Sequence, residues 1–216
     1  MEKKALTILL EIAIAAAAVS SWLWILAFGD KEAFSAAGLH SLRYYTVLSN
    51  LFAGASSLLF AVFKARERAD RPVPAWVTAV KTSSVAALGV TFTVVLVFLG
   101  PVFGYPIMFQ GGNLFMHLIT PLTAFFVSVF LEEPRRLRFP SSALCVLPTV
   151  IYGVFYLYTV LLFGAAGNDL YGFVRWGYFV GFLIFVLILA GNFGLVELLC
   201  FLSRRLKNFD KKESAE

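Results

Sequence analysis

Six stretches of apolar sequence, each about the 20 residues that a helix needs to cross a bilayer, constrain this chain more than any other feature. They fall near residues 5–28, 44–64, 75–100, 113–131, 141–163 and 174–203, and the connections between them are too short for a soluble domain. Only 14% of the residues are charged, against about a quarter in a soluble globular domain. The expectation is an all-α polytopic membrane protein: six transmembrane helices in one bundle, with residues 1–216 forming a single integral membrane domain.

The placement of charge predicts the topology. Of 18 Lys and Arg, Lys31, Arg43 and Arg175 fall on one side of the expected membrane and Lys81 within the third span. The rest fall on the other side: Lys3 and Lys4, Lys64 to Arg71, Arg135 to Arg138, and the tail from Arg204 to Lys212. Basic residues stay in the cytoplasm, so both termini are expected there. The same distribution argues against a nucleic-acid surface, although the net charge is +5. The N-terminus imitates a secretory signal, with Lys3-Lys4 and the run Ala15 to Ala18. Glu11 interrupts it and apolar sequence continues to Phe28, so a retained first helix is expected. Cys145 and Cys200 read as packing residues. No metal-ligand spacing, phosphate loop or internal repeat is present, and no metal or cofactor is expected.

Ala15 to Ser21 and Ala53 to Ser57 form small-residue faces suited to close helix packing. Lys81 lies inside the third span, at a depth that suits an internal ion pair with Glu11 or Glu197; a coupling-ion site is the alternative. Trp22, Trp24, Tyr44, Tyr45, Trp176 and Tyr178 read as interfacial anchors.

Two polar clusters stand at the starts of the second and fourth spans: Tyr44-Tyr45-Thr46-Val47-Leu48-Ser49-Asn50 and Asn113-Leu114-Phe115-Met116-His117, the latter followed by Thr120-Pro121. Positions four apart share a helix face, so Thr46 pairs with Asn50 and Asn113 with His117. Both spans are expected to run inward, with Thr46 roughly 3 Å and His117 roughly 6 Å below the outer interface. A threonine hydroxyl becomes a nucleophile when a base takes its proton, and a neutral imidazole can do so near pH 7. Asn50 or Asn113 can then donate to a developing oxyanion or hold the imidazole in one tautomer. Arg43 is placed to bind a lipid carboxylate or phosphate, or to snorkel to the interface. Asp30, Glu32 and Asp169, on the outer loops, are the available acidic third members. Without such chemistry the same residues would serve as polar glue between helices.

Tyr45-Thr46-x-x-Ser49-Asn50 on an early span, followed by Asn113-x-x-x-His117-x-x-x-Pro121 on the fourth, resembles the androgen-induced membrane protein family and its bacterial, Pr6Pr-type relatives. The resemblance covers most of the chain in span order and size, with its specific content in the two clusters. Characterised animal members are intramembrane threonine hydrolases of fatty acid esters of hydroxy fatty acids. The resemblance therefore implies Thr46 as nucleophile, His117 as its base and a lipid or fatty-acyl ester as substrate. Where relatives carry a Pro/Tyr-rich acidic segment before the last span, this chain has Gly167-Asn168-Asp169-Leu170-Tyr171-Gly172-Phe173, acidic and aromatic without proline. The competing reading is a non-enzymatic small-solute transporter or lipid-binding scaffold, in which Lys81, Glu11 and Glu197 carry more of the function. The expected partners are a lipid or fatty-acyl ester substrate and the membrane lipids, and the oligomeric state is open.

Overall fold

The structure, a computed structural model, describes residues 3–29, 38–133, 137 and 139–213. Expectations placed on Asp30, Lys31, Glu32, Arg135, Arg136 and Arg138 lie outside those residues. The described chain is helical, apart from a single bridge between Arg68 and Arg71. Its main helices are α1 (Lys3–Phe28), α2 (Tyr45–Arg66), α3 (Ala75–Phe103), α4 (Gly111–Leu131), α5 (Leu147–Phe163) and α6 (Tyr178–Glu213). All but α5 are long and apolar enough to cross a membrane. Large apolar side chains such as Leu161, Phe163, Phe179 and Leu187 are exposed, as lipid-facing positions of a multi-pass membrane protein require.

The fifth apolar block differs from its expected single helix over 141–163. A short helix, Phe139–Leu144, precedes α5, and the chain turns at Cys145 and Val146. Pro148 is the cause: it has no N–H to give, and its ring would press on the carbonyl of Leu144 in a continuous helix. The turn is held by Cys145 N–H reaching Ser141 O and Ser142 O, and by Ser83 Oγ donating to Cys145 O at 2.6 Å. The last helix starts at Tyr178 instead of 174, after a turn closed by Gly177 N–H to Val174 O at 2.8 Å. Gly177 has φ +102°, which favours glycine. Cys145 and Cys200 are buried and form no disulfide among the described residues.

The small faces of α1 and α2 meet as their composition suggests. A Cβ on Gly54 would lie 3.1 Å from Ala18 Cβ and 3.6 Å from Ala15 Cα, so the two backbones pack with nothing larger between them. Further along this seam the Lys81 ammonium lies 2.5 Å from Glu11 Oε2 and donates to Ser57 Oγ at 2.6 Å. Lys81 and Glu11 are wholly buried, whereas Glu197 is exposed on α6. Of the two expected partners, Glu11 is the one that pairs.

Helices α3 and α4 each contain a widened π turn immediately before a proline. In α3 it covers Val95–Leu99 before Gly100-Pro101; in α4 it covers Phe115–Ile119 before Thr120-Pro121. A proline ring collides with the carbonyl four residues back, here Val97 and His117, and a wider turn relieves the collision. Accordingly Gly100 N–H bonds Val95 O and Thr120 N–H bonds Phe115 O, five residues back in each case. The next N–H in each series would belong to the proline. The carbonyls of Leu96 and Met116 therefore have no helical donor.

Candidate functional site

The α4 widening builds the centre of the site. Asn50 Nδ2 donates to Met116 O at 3.1 Å and to Thr46 O, one turn back on its own helix, at 2.8 Å. Two bonds of that length from one nitrogen hold the two carbonyl oxygens within about 6 Å of each other. The structure thereby joins the two polar clusters through the amide of Asn50. Thr46 O also accepts from Ser49 Oγ at 3.1 Å, and Ser49 Oγ pairs with Thr91 Oγ at 2.8 Å, tying α3 to the same point. Asn50 and His117 are wholly buried, and Asn113 nearly so. Both N–H donors of Asn50 are engaged by carbonyls, so what remains of its amide is the acceptor Oδ1.

His117 Nδ1 lies 2.7 Å from Met108 O. A carbonyl only accepts, so in this bond Nδ1 carries the proton, and Nε2 is the basic nitrogen of the neutral ring. Met108 belongs to the short turn Tyr105–Met108, which connects α3 to α4. A backbone carbonyl, not a carboxylate, thus orients the imidazole. Asp169, a candidate for that role, is engaged elsewhere: it accepts from Tyr156 Oη and from the backbone N–H groups of Phe173 at 2.9 Å and Val174 at 3.0 Å.

Thr46, 9% exposed, borders an apolar cleft between α2, α3, α5 and α6 that encloses about 620 Å³ of unfilled space, its open mouth included. Among the described residues the Thr46 hydroxyl has no hydrogen bond, and His117 does not line the cleft. Four tyrosines, Tyr45, Tyr152, Tyr156 and Tyr171, line the cleft. Tyr45 Oη pairs with Thr149 Oγ at 2.6 Å, and Thr149 also receives Asn192 Nδ2. Tyr152 Oη donates to Arg43 O at 2.8 Å, and Tyr45 N–H donates to Tyr171 Oη at 2.6 Å. Burial pushes the Tyr171 hydroxyl well above the ordinary tyrosine pKa, because its anion would have little solvation there.

Tyr45, expected as an interfacial anchor, is instead a wall of the cleft. Tyr152 and Tyr156 escaped the sequence reading, and Tyr171 entered it only within the acidic and aromatic segment Gly167 to Phe173. Their signal was the Tyr-x-x-x-Tyr spacing on α5, which puts two hydroxyls on one helix face. Arg43 Nη2 donates to Asn168 Oδ1 at 2.9 Å, above the cleft and one turn before Thr46. Arg175 is exposed, with its guanidinium 5.0 Å from the Trp176 ring centre.

Comparison with protein-family models, curated proteins and solved structures finds no match to this chain. Its fold and site define a multi-pass helical membrane protein with a buried polar centre beside an apolar cleft.

Proposed function

We propose that this chain is an intramembrane hydrolase of lipid esters, with Thr46 as nucleophile and His117 as general base and then acid. The observation that carries the reading is the Asn50 amide, which clasps the backbone at Thr46 to the backbone at Met116, beside His117. A base needs a fixed tautomer, and Met108 O supports one with Nε2 as the proton acceptor. A hydrophobic ester needs an apolar berth, and Thr46 borders one. In the proposed step the acyl chain lies in the cleft and the ester carbonyl carbon bonds to Thr46 Oγ. The threonine proton passes to His117 Nε2 directly or through one water, and His117 then protonates the leaving alcohol. Asn50 acts as a positioning residue, and Asn113 is the remaining amide of the cluster. Arg43 guards the outer end.

The proposed topology has six crossings, with α5 as the fifth, both termini cytoplasmic and the site near the extracytoplasmic face. At 17 residues α5 reaches about 25 Å, at the short end of what spans a bilayer.

The test is labelling of the full-length protein in lipid nanodiscs with a fluorophosphonate, together with turnover of a fatty-acyl ester of a hydroxy fatty acid. Thr46→Ala is expected to abolish both, and His117→Ala to lower turnover by about a hundredfold or more. Labelling that survives Thr46→Ala unchanged, or turnover indifferent to His117→Ala, refutes the assignment.

A further inference from the structure

A second polar feature lies on the turn that Asn50 packs against. Hydroxyls inside membrane helices ordinarily find a carbonyl three or four residues back, where they cost the helix little. This chain uses that solution repeatedly: Thr7 donates to Lys3 O, Ser21 to Ala17 O, Thr82 to Thr78 O and Ser84 to Lys81 O. Thr120 does not. It is 1% exposed, and its Oγ has no hydrogen-bond partner. The carbonyl four residues behind it is Met116 O, which already receives Asn50 Nδ2. Asn50 is wholly buried, and its Oδ1 also lacks a donor.

These two atoms belong to one locality. The Met116 carbonyl points along α4 toward the turn that begins at Thr120, and the Asn50 amide is docked on that carbonyl. Thr120 also follows His117 by three residues, on the adjacent part of the same widened turn. A donor-acceptor hydroxyl one turn beyond Met116 and an amide oxygen docked against Met116 O are thus each buried without a partner, on a turn that also carries an imidazole. Two to four polar partners of this kind are what a buried water requires.

We infer that Asn50 Oδ1 and Thr120 Oγ bind the water that hydrolyses the acyl-threonine. This rests on the hydrolase reading and adds its second half-reaction. The water oxygen bonds to the carbonyl carbon of the Thr46 ester as His117 Nε2 takes one of its protons. The tetrahedral intermediate then breaks its bond to Thr46 Oγ, which recovers that proton from His117, and a carboxylic acid leaves. Atoms and charge balance without a further reactant. Thr120 holds the attacking water and has no part in acylation.

The experiment uses p-nitrophenyl octanoate and the full-length protein in nanodiscs, with wild type compared to Thr120→Val and Thr120→Ser. Thr120→Val keeps the size of the side chain and removes the hydroxyl. It is expected to retain fluorophosphonate labelling at Thr46 and a full burst of nitrophenol. Steady-state turnover should fall by at least about tenfold as octanoyl-Thr46 accumulates to detection by mass spectrometry. Thr120→Ser should restore turnover. Normal turnover in Thr120→Val, or a burst that falls in parallel with turnover, overturns the water site. Wild type that takes no label at Thr46 refutes the hydrolase reading itself, so the two failures are told apart.

Discussion

Replacing Lys81 by methionine tests whether the ion pair at the α1–α2–α3 seam is structural. Lys81 and Glu11 are 2.5 Å apart with no exposure, and Lys81 also donates to Ser57. Removing one member of such a pair strands the other charge in a low-dielectric interior, at a cost of about 3–5 kcal/mol. Replacing both members by apolar residues of similar volume is roughly neutral, or stabilising by about 1–4 kcal/mol. Lys81→Met alone should therefore be strongly destabilising, and Glu11→Leu with Lys81→Met should recover most or all of the loss. The assay is reversible unfolding in mixed micelles by dodecyl sulfate titration, followed by circular dichroism, for the full double-mutant cycle. A coupling energy of several kcal/mol is expected. A single variant within about 1 kcal/mol of wild type, or a double variant as unstable as the sum of the singles, refutes the reasoning. Ser57 is eleven residues from Thr46, or about 16 Å along α2. The double variant should therefore keep its ester turnover, whereas a transporter coupled through this pair would lose its function.

Pro121→Ala removes the collision with the His117 carbonyl and allows a regular turn in which Met116 O finds a backbone donor. Turnover is expected to fall by about tenfold or more while the melting temperature stays level or rises. Gly153→Ala places a methyl 1.8 Å from the present position of Phe185 Cε2, so the ring must move at the wall of the cleft. About 1–3 kcal/mol of destabilisation is expected, with long-chain esters losing more turnover than short ones in a chain-length series. Tyr171, in the loop before α6, has its folded-state pKa raised by burial. Its contribution to stability is complete below the ordinary tyrosine pKa of about 10 and is lost as pH rises above that value. Unfolding midpoints measured from pH 8 to 12 should fall at the alkaline end, and less steeply in Tyr171→Phe.

Much of the helical plan was legible because apolar length is a coarse and redundant signal. Each of α1 to α4 lies within a few residues of its block. The block at 141–163 misled because hydropathy does not register what Pro148 does to the carbonyl behind it. Lys81 and its candidate partners were visible as charges in apolar sequence, but depth alone left Glu11 and Glu197 equivalent; burial on α1 and exposure on α6 separate them. At the site, Thr46, Asn50, Asn113 and His117 stood out as polar residues in costly places. Met108 could not, because what it supplies is a backbone carbonyl presented by a turn, and every residue type has one. Thr120 read as glue between helices because its sequence neighbours do not reveal that Met116 O draws its donor from Asn50 or that the Thr120 hydroxyl has no partner.

The bond from Asn50 to Met116 O follows from a device the chain uses twice. Pro101 and Pro121 each widen the turn before them, and each leaves the carbonyl five residues back without a helical donor. In α3 the carbonyl is Leu96 O, and Tyr105 Oη, nine residues on, satisfies it at 2.8 Å. Gly100 makes this possible, since a Cβ there would lie 2.2 Å from the Tyr105 ring. The repair is local and places no demand on another helix. In α4 the matching carbonyl is Met116 O, and its donor comes from Asn50, 66 residues away on α2. An unsatisfied carbonyl in the membrane interior costs several kcal/mol, so this bond fixes the register of α2 against α4. The same bond sets His117 in a turn facing the Thr46 end of α2. One proline thus sets a structural turn at Tyr105, whereas the other converts a backbone defect into a point where the two polar clusters are clasped together.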